Sequence, residues 1–236
     1  MEMCARCNQC EKLYPKSNWN LISRSGRRNK LGRWIGIKMT REREWVNGFI
    51  QKLDKELKKT SQKGLVMAAA DGTKLAYACE IQSYGVDGQP IVTTNKYETD
   101  ILISDVFDDG RWIPRVIVEC KLESVTTHDA LTYSAKASSH RAVHPYLRYG
   151  LLAGRLADYA LPARLIRHGQ QFDFMISWKE IKASAAEWKS FCSVILQEVE
   201  ASRKLQLLLT DNRSANRVKH SNIHKPINFV QARKTK

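Results

Sequence analysis

The chain has 236 residues, 43% of them hydrophobic, and 39 Lys plus Arg against 24 Asp plus Glu give it a formal net charge of +15. That length supports one sizeable domain with its own core, and the apolar content argues against wholesale disorder. The positive balance favours a polyanionic partner, nucleic acid being the commonest, and no apolar run reaches the length of a membrane span.

Residues 1–38 stand apart, with Cys4, Cys7 and Cys10 followed by a basic run from Arg24 to Arg33. The Cys-x-x-Cys-x-x-Cys spacing invites a zinc ion, but a structural zinc takes four ligands and no fourth cysteine or histidine lies nearby. The segment reads as a loose basic arm or an upstream artefact, with Met39 as the start of the domain. The remaining cysteines, Cys79, Cys120 and Cys192, are scattered and do not resemble a secreted disulfide framework. No apolar leader is visible at the N-terminus, so a reducing, cytoplasmic setting is expected.

A helix is expected directly after Met39. Trp45, Val46, Phe49, Ile50, Leu53 and Leu57 recur at helical spacing, and Gly64 sits where such a helix would stop. From Leu65 to Gln82 the pattern fits either a helix followed by a strand or a broken helix. Tyr84 to Pro90 is turn chemistry. Ile91 to Ile103 reads as a strand, Asp108-Asp109-Gly110 as a turn, and Ile113 to Leu122 as a further strand with Pro114 near its start or at an edge. Thr127 to His144 reads as a helix capped by Thr127, favoured by Asp129 in its first turn and ended by Pro145. Tyr149 to Ala153 and Phe172 to Ile176 look like strands. From Trp178 onward, Ile181, Trp188, Phe191, Cys192, Ile195 and Val199 mark a long amphipathic helix, and the tail from residue 211 to 236 is polar and basic.

Two strands carry charge beside apolar residues. Tyr97-Glu98-Thr99-Asp100-Ile101-Leu102-Ile103 precedes Val116-Ile117-Val118-Glu119-Cys120-Lys121. Side chains alternate along a strand, so Glu119 and Lys121 project to one face and Cys120 to the other. Charges this close to a buried run are costly unless paired. A divalent cation held by Asp100 and Glu119 would pair them, and oxygen ligands suit Mg²⁺. A metal, a neighbouring ammonium and a basic surface together describe phosphodiester hydrolysis. Lys121 would orient the attacking water or stabilise developing negative charge. Further along, Tyr133, Lys136, His140 and His144 share one helical face. Arg148 and Arg167 stand beside strand ends, where arginines suit phosphates or guanine edges.

Asp100 followed by Glu119-Cys120-Lys121 resembles the PD-(D/E)XK nuclease superfamily, in particular its type II restriction-endonuclease-like members. The likeness spans roughly Leu75 to Trp178. Thr99 stands where the motif has proline, at a position that is not a ligand. The resemblance implies an α/β fold over residues 39–210, with a restriction-endonuclease-like core in which helices flank a central mixed β-sheet. It implies a Mg²⁺-dependent endonuclease acting on double-stranded DNA and leaving a 5′-phosphate, with Asp100, Glu119 and Lys121 catalytic. It adds the backbone carbonyl of Cys120 as a metal ligand and Glu80 as an acidic ligand from the preceding element, ahead of Glu98 and Glu123. It sets Lys136 and His140 beside the site, for phosphate contacts. Cutting both strands needs two active sites, so a homodimer is expected. A repair or recombination nuclease of the same fold, and a nucleic-acid-binding protein without activity, are the alternatives.

Overall fold

The computed structural model describes residues 41–60, 65–156 and 160–211. The cysteine triplet, the arginine-rich run, Gly64 and the basic tail beyond residue 211 lie outside these. After helical turns over 41–47, the elements are α1 (Ile50–Lys59), β1 (Leu65–Asp71), β2 (Lys74–Tyr84), β3 (Pro90–Glu98), β4 (Ile101–Phe107), β5 (Trp112–Leu122), α2 (Thr127–Val143), β6 (Arg148–Gly154), α3 (Ala163–His168), β7 (Phe174–Trp178) and α4 (Ala185–Asp211). None of the described helices is long and apolar enough to cross a membrane.

Five strands form one mixed sheet in the order β1-β4-β5-β6-β7. β1, β4 and β5 run antiparallel in turn, while β5, β6 and β7 run parallel. β2 and β3 form a separate two-stranded ribbon. The expected central mixed sheet flanked by helices is therefore present. On one face, Ile101, Ile103, Val116, Val118, Cys120 and Leu122 pack with Leu53 and Leu57 of α1 and with Phe191, Ile195 and Val199 of α4. On the other, Leu102, Ile117 and Tyr149 pack with Ala137 of α2, and Leu151 and Ala153 with Ala130 of α2 and Leu165 of α3. The Trp45 ring lies so close to β6 that a Cβ on Gly154 would stand 2.5 Å from it.

Several boundaries differ from expectation. The first helix is interrupted at Gly48–Phe49, where the Gly48 amide is shared between Glu44 and Trp45 carbonyls. The ambiguous run from Leu65 is a strand, β1, because its backbone completes the edge of β4. Ile91–Ile103 is not one strand: it breaks at Thr99–Asp100, and its halves join different sheets. The Thr99 hydroxyl and amide both bond the Thr73 carbonyl at this corner, 2.9 and 3.0 Å. Pro114 lies near the start of β5 as expected, beside an irregularity in the ladder with β4. The cap of α2 is Thr126, not Thr127, in a reciprocal capping box with Asp129. Trp178 closes β7 instead of opening the last helix, and Ile181 lies in the connection, its carbonyl accepting the Trp45 indole N–H at 2.7 Å.

Asp105 of β4 is fully buried and binds two arginines. It accepts from Arg115 Nε at 2.7 Å and from Arg203 of α4 at 2.5 and 3.0 Å. Removing one partner of such a group strands the others in low dielectric. Asp105→Ala should cost about 3–5 kcal/mol of stability, read as a lowered urea midpoint.

Candidate active site

The expected alternation on β5 is present. Cys120 is buried on the α1/α4 side, whereas Glu119 and Lys121 face α2. Asp100 lies at the start of β4, in the break between the two sheets. There its carboxylate accepts the Cys120 amide N–H at 2.7 Å. The β4–β5 ladder runs only to the Ile101–Val118 pair, so the aspartate takes the amide that lies beyond its end.

Glu119 is 2% exposed. The Tyr149 hydroxyl donates to its Oε1, and Lys136 Nζ of α2 stands 3.7 Å from the same oxygen. Burial, and then the Asp100 carboxylate beside it, push the Glu119 carboxyl up to about 8, against the opposing pull of Lys136 and Tyr149. Burial and the neighbouring Glu119 raise the Tyr149 hydroxyl well above the ordinary tyrosine value, so it remains a donor. A buried carboxyl repelled by a second carboxylate is a position with too little positive charge. A divalent cation would supply it. Among the described residues no cluster of three or more His, Cys, Asp or Glu side chains offers a protein-only cage. Mg²⁺ is suited to such a site, because it is commonly held by one or two carboxylates with waters and substrate phosphate completing its shell.

Lys121 Nζ lies 3.3 Å from Glu42 Oε2, 3.8 Å from Asp129 Oδ1 and 5.2 Å from the centre of the Tyr133 ring. Burial works against its charge, but the hydrogen bond to Tyr133 and the carboxylates of Glu42 and Asp129 outweigh it and raise its pKa. Lys121 is therefore a fixed ammonium and not a proton acceptor at neutral pH. Lys136 Nζ sits 5.1 Å from the same Tyr133 ring and 5.4 Å from that of Tyr97. The two lysines thus border one tyrosine on the α2 side of the sheet.

The remaining expected residues fall in different places. Burial pushes the Cys120 thiol well up, so any ligand from this residue would be its backbone carbonyl. Glu80 lies on the β2–β3 ribbon, exposed and accepting from Asn95 at 2.8 Å, and no third acidic residue joins the Asp100–Glu119 pair among the described residues. Its assignment as a ligand is not supported by this geometry. Glu98 is exposed at the end of β3, and Glu123 pairs with Arg41 and Arg155.

His140 is a correction. Its side chain is fully buried, Nδ1 stands 3.0 Å from the Ala76 carbonyl, and the ring stacks on Tyr149. Burial depresses it to about 4, so it is a neutral core residue with no access to phosphate. Arg148 is also committed internally, to Asp173 at 2.8 Å and Glu198 at 2.5 Å. Arg167 is exposed and lines an open cavity of about 310 Å³ with Ser138, His168 and Gln170. That cavity includes none of the carboxylate–lysine set.

Sequence reading missed Glu42, Asp129 and Tyr149 as parts of the site. Glu42 had a signal. It precedes Trp45 by three and Val46 by four, which puts an acid on the apolar stripe of the first helix. It is buried, and also accepts the Leu122 amide at 3.3 Å. Asp129 reads from sequence only as a favourable first-turn residue, and nothing local distinguishes Tyr149 from an ordinary strand tyrosine.

No family model and no curated protein matches the chain.

The raised Glu119 pKa has a consequence for stability. Between the ordinary value and about 8 the folded protein holds a proton that the unfolded chain releases. The contribution of Glu119 to the stability of the metal-free protein should therefore be fullest below the ordinary glutamate pKa and be lost as pH rises through about 8. Melting in chelator across this range should lose several degrees. Glu119→Gln should flatten the profile and melt higher than the wild type at alkaline pH.

Proposed function

We propose that this chain is a Mg²⁺-dependent DNA endonuclease on a restriction-endonuclease-like core, hydrolysing phosphodiesters at Asp100, Glu119 and Lys121. The observation that carries the reading is the buried Glu119 beside the half-buried Asp100, with Lys121 and Lys136 on the same side of the sheet. Carboxylates gathered where they repel each other, flanked by ammonium groups, suit a metal and a phosphate together. The formal charge of +15 suits a polyanionic substrate.

Asp100 and Glu119 would hold the metal. Mg²⁺, when bound, supplies positive charge to the phosphate and makes a nearby water more acidic. Tyr149 orients Glu119 through the hydrogen bond it donates to Oε1. Lys121, permanently charged, would stabilise negative charge developing on the phosphate. Glu42 and Asp129 hold that ammonium in place until substrate competes for it. Lys136 compensates Glu119 and lies close enough to share in phosphate binding.

Digestion of a mixed-sequence plasmid with Mg²⁺ tests the reading. Discrete fragments are expected from a sequence-specific enzyme. A smear would favour a nonspecific or structure-directed nuclease, and intact plasmid would overturn the activity. Asp100→Ala and Glu119→Ala should each abolish cutting with unchanged circular dichroism. Lys121→Ala should bind DNA about as tightly as the wild type, because many other basic residues contact phosphate. Its single-turnover cleavage should slow on the order of a hundredfold. A defect confined to binding would make Lys121 a DNA anchor instead.

A further inference from the structure

The β2–β3 ribbon leaves the domain directly beside Asp100. Its base is packed: Leu75 is buried with Leu102 and Ile117, and Tyr77 and Tyr97 stack at 3.6 Å above His140. Its distal half is not. Ile81, Tyr84, Val86, Ile91 and Val92 are all exposed, Val86 at the tip completely so. Cross-strand partners share a face, and the register pairs Tyr84 with Pro90, Ile81 with Val92 and Cys79 with Thr94. The irregularity between Ile81 and Ser83 keeps these pairs on one side. That side is a mostly apolar stripe, whereas Glu80, Thr93, Ser83 and Asn95 occupy the other, with Ile91 as its one exposed aliphatic residue.

An isolated two-stranded ribbon is at best marginally stable in water and needs further strands or a packed face. Charge indicates what covers this one. From Leu75 to Asn95 there is no Lys or Arg, the longest such stretch in a chain of net charge +15, and its charged residues are Glu80 and Asp87. A surface contacting DNA phosphates needs the opposite composition. Two copies of a strongly basic chain repel each other least where this ribbon lies.

We propose that the Cys79–Ile81–Tyr84–Val92 face of the ribbon is a self-association surface, on which a second copy of this chain docks its own ribbon about a two-fold axis. An isologous contact needs one self-complementary patch, and the distal apolar half of this face, beyond Lys74 and Lys96 at its base, is one without like charges. The ribbon is continuous with the corner that holds Asp100, so the contact would tie the partner's position to the active site. The self-association itself does not depend on the nuclease reading. What depends on it is the consequence that two sites are brought to one duplex.

The test uses the full chain without DNA, in reducing buffer with enough salt to screen its charge. Sedimentation velocity from nanomolar to tens of micromolar protein should show a monomer–dimer equilibrium. Ile81→Lys with Val92→Lys, both exposed and remote from the packed base, should weaken it at least a hundredfold with unchanged circular dichroism. Ile166→Lys on α3 should not alter it. In the wild type, hydrogen exchange at residues 79–94 should slow as concentration rises. A wild type that stays monomeric throughout, or a dimer that survives the double substitution, overturns the proposal. So does exchange protection of the ribbon that appears only with DNA, which would make it a groove-binding element. Cleavage is scored separately. A ribbon variant that nicks plasmid without linearising it supports both readings, and a dimer that never cuts leaves the surface standing while the nuclease reading fails.

Discussion

Glu119 lies on a strand that is hydrogen-bonded on both edges, to β4 on one side and β6 on the other. Its side chain has nowhere to go but into the layer between the sheet and α2. An ionisable group fixed there by backbone pairing cannot relax toward water, and the surroundings must answer for its charge. Tyr149 answers from the neighbouring strand and Lys136 from the helix above. The same pairing sends Cys120 into the opposite core and sets its amide against Asp100. Strand register, core packing and site chemistry are thus three consequences of one buried strand.

The helix above the sheet supplies more than a lid. Asp129 near its start reaches Lys121, Tyr133 one turn later lies under both ammonium groups, and Lys136 faces Glu119. One turn beyond, His140 abandons solvent and seals the layer against Tyr149 and the base of the ribbon. The polar face of this helix is therefore divided along its length. Its first half serves the charged residues of β5, and its second half closes a core. Helical periodicity assigns all of these residues to one face and cannot tell where the neighbouring strand ends its charged positions and begins its apolar ones.

The long-range ion pairs follow a similar logic. Asp105 binds α4 to the sheet through Arg203 and Arg115, and Asp173 and Glu198 hold Arg148 at the entry of β6. Some of the chain's arginines are consequently structural, and the net positive charge overstates what is free for a polyanion. Glu42 is the converse case. An acid on an apolar helical stripe costs stability unless it meets a partner, and it meets Lys121 and the Leu122 amide at the C-terminal end of β5.

The sequence by itself determined the strand that carries Glu119, the facing of Glu119 with Lys121 away from Cys120, and the longer helices that enclose the sheet, α1, α2 and α4. Those features rest on local periodicity, which any chain segment carries within itself. Tertiary structure alone decided that Ile91–Ile103 breaks at Asp100 into two sheets, since a β-branched run is equally compatible with one long strand or two. It also decided that Glu80 stays on the ribbon, that His140 and Arg148 are internal, and that Glu42, Asp129 and Tyr149 gather at Glu119 and Lys121. Charge pairing is a property of contacts between distant segments, and spacing within a segment, even where it hints at burial as at Glu42, does not name the partner.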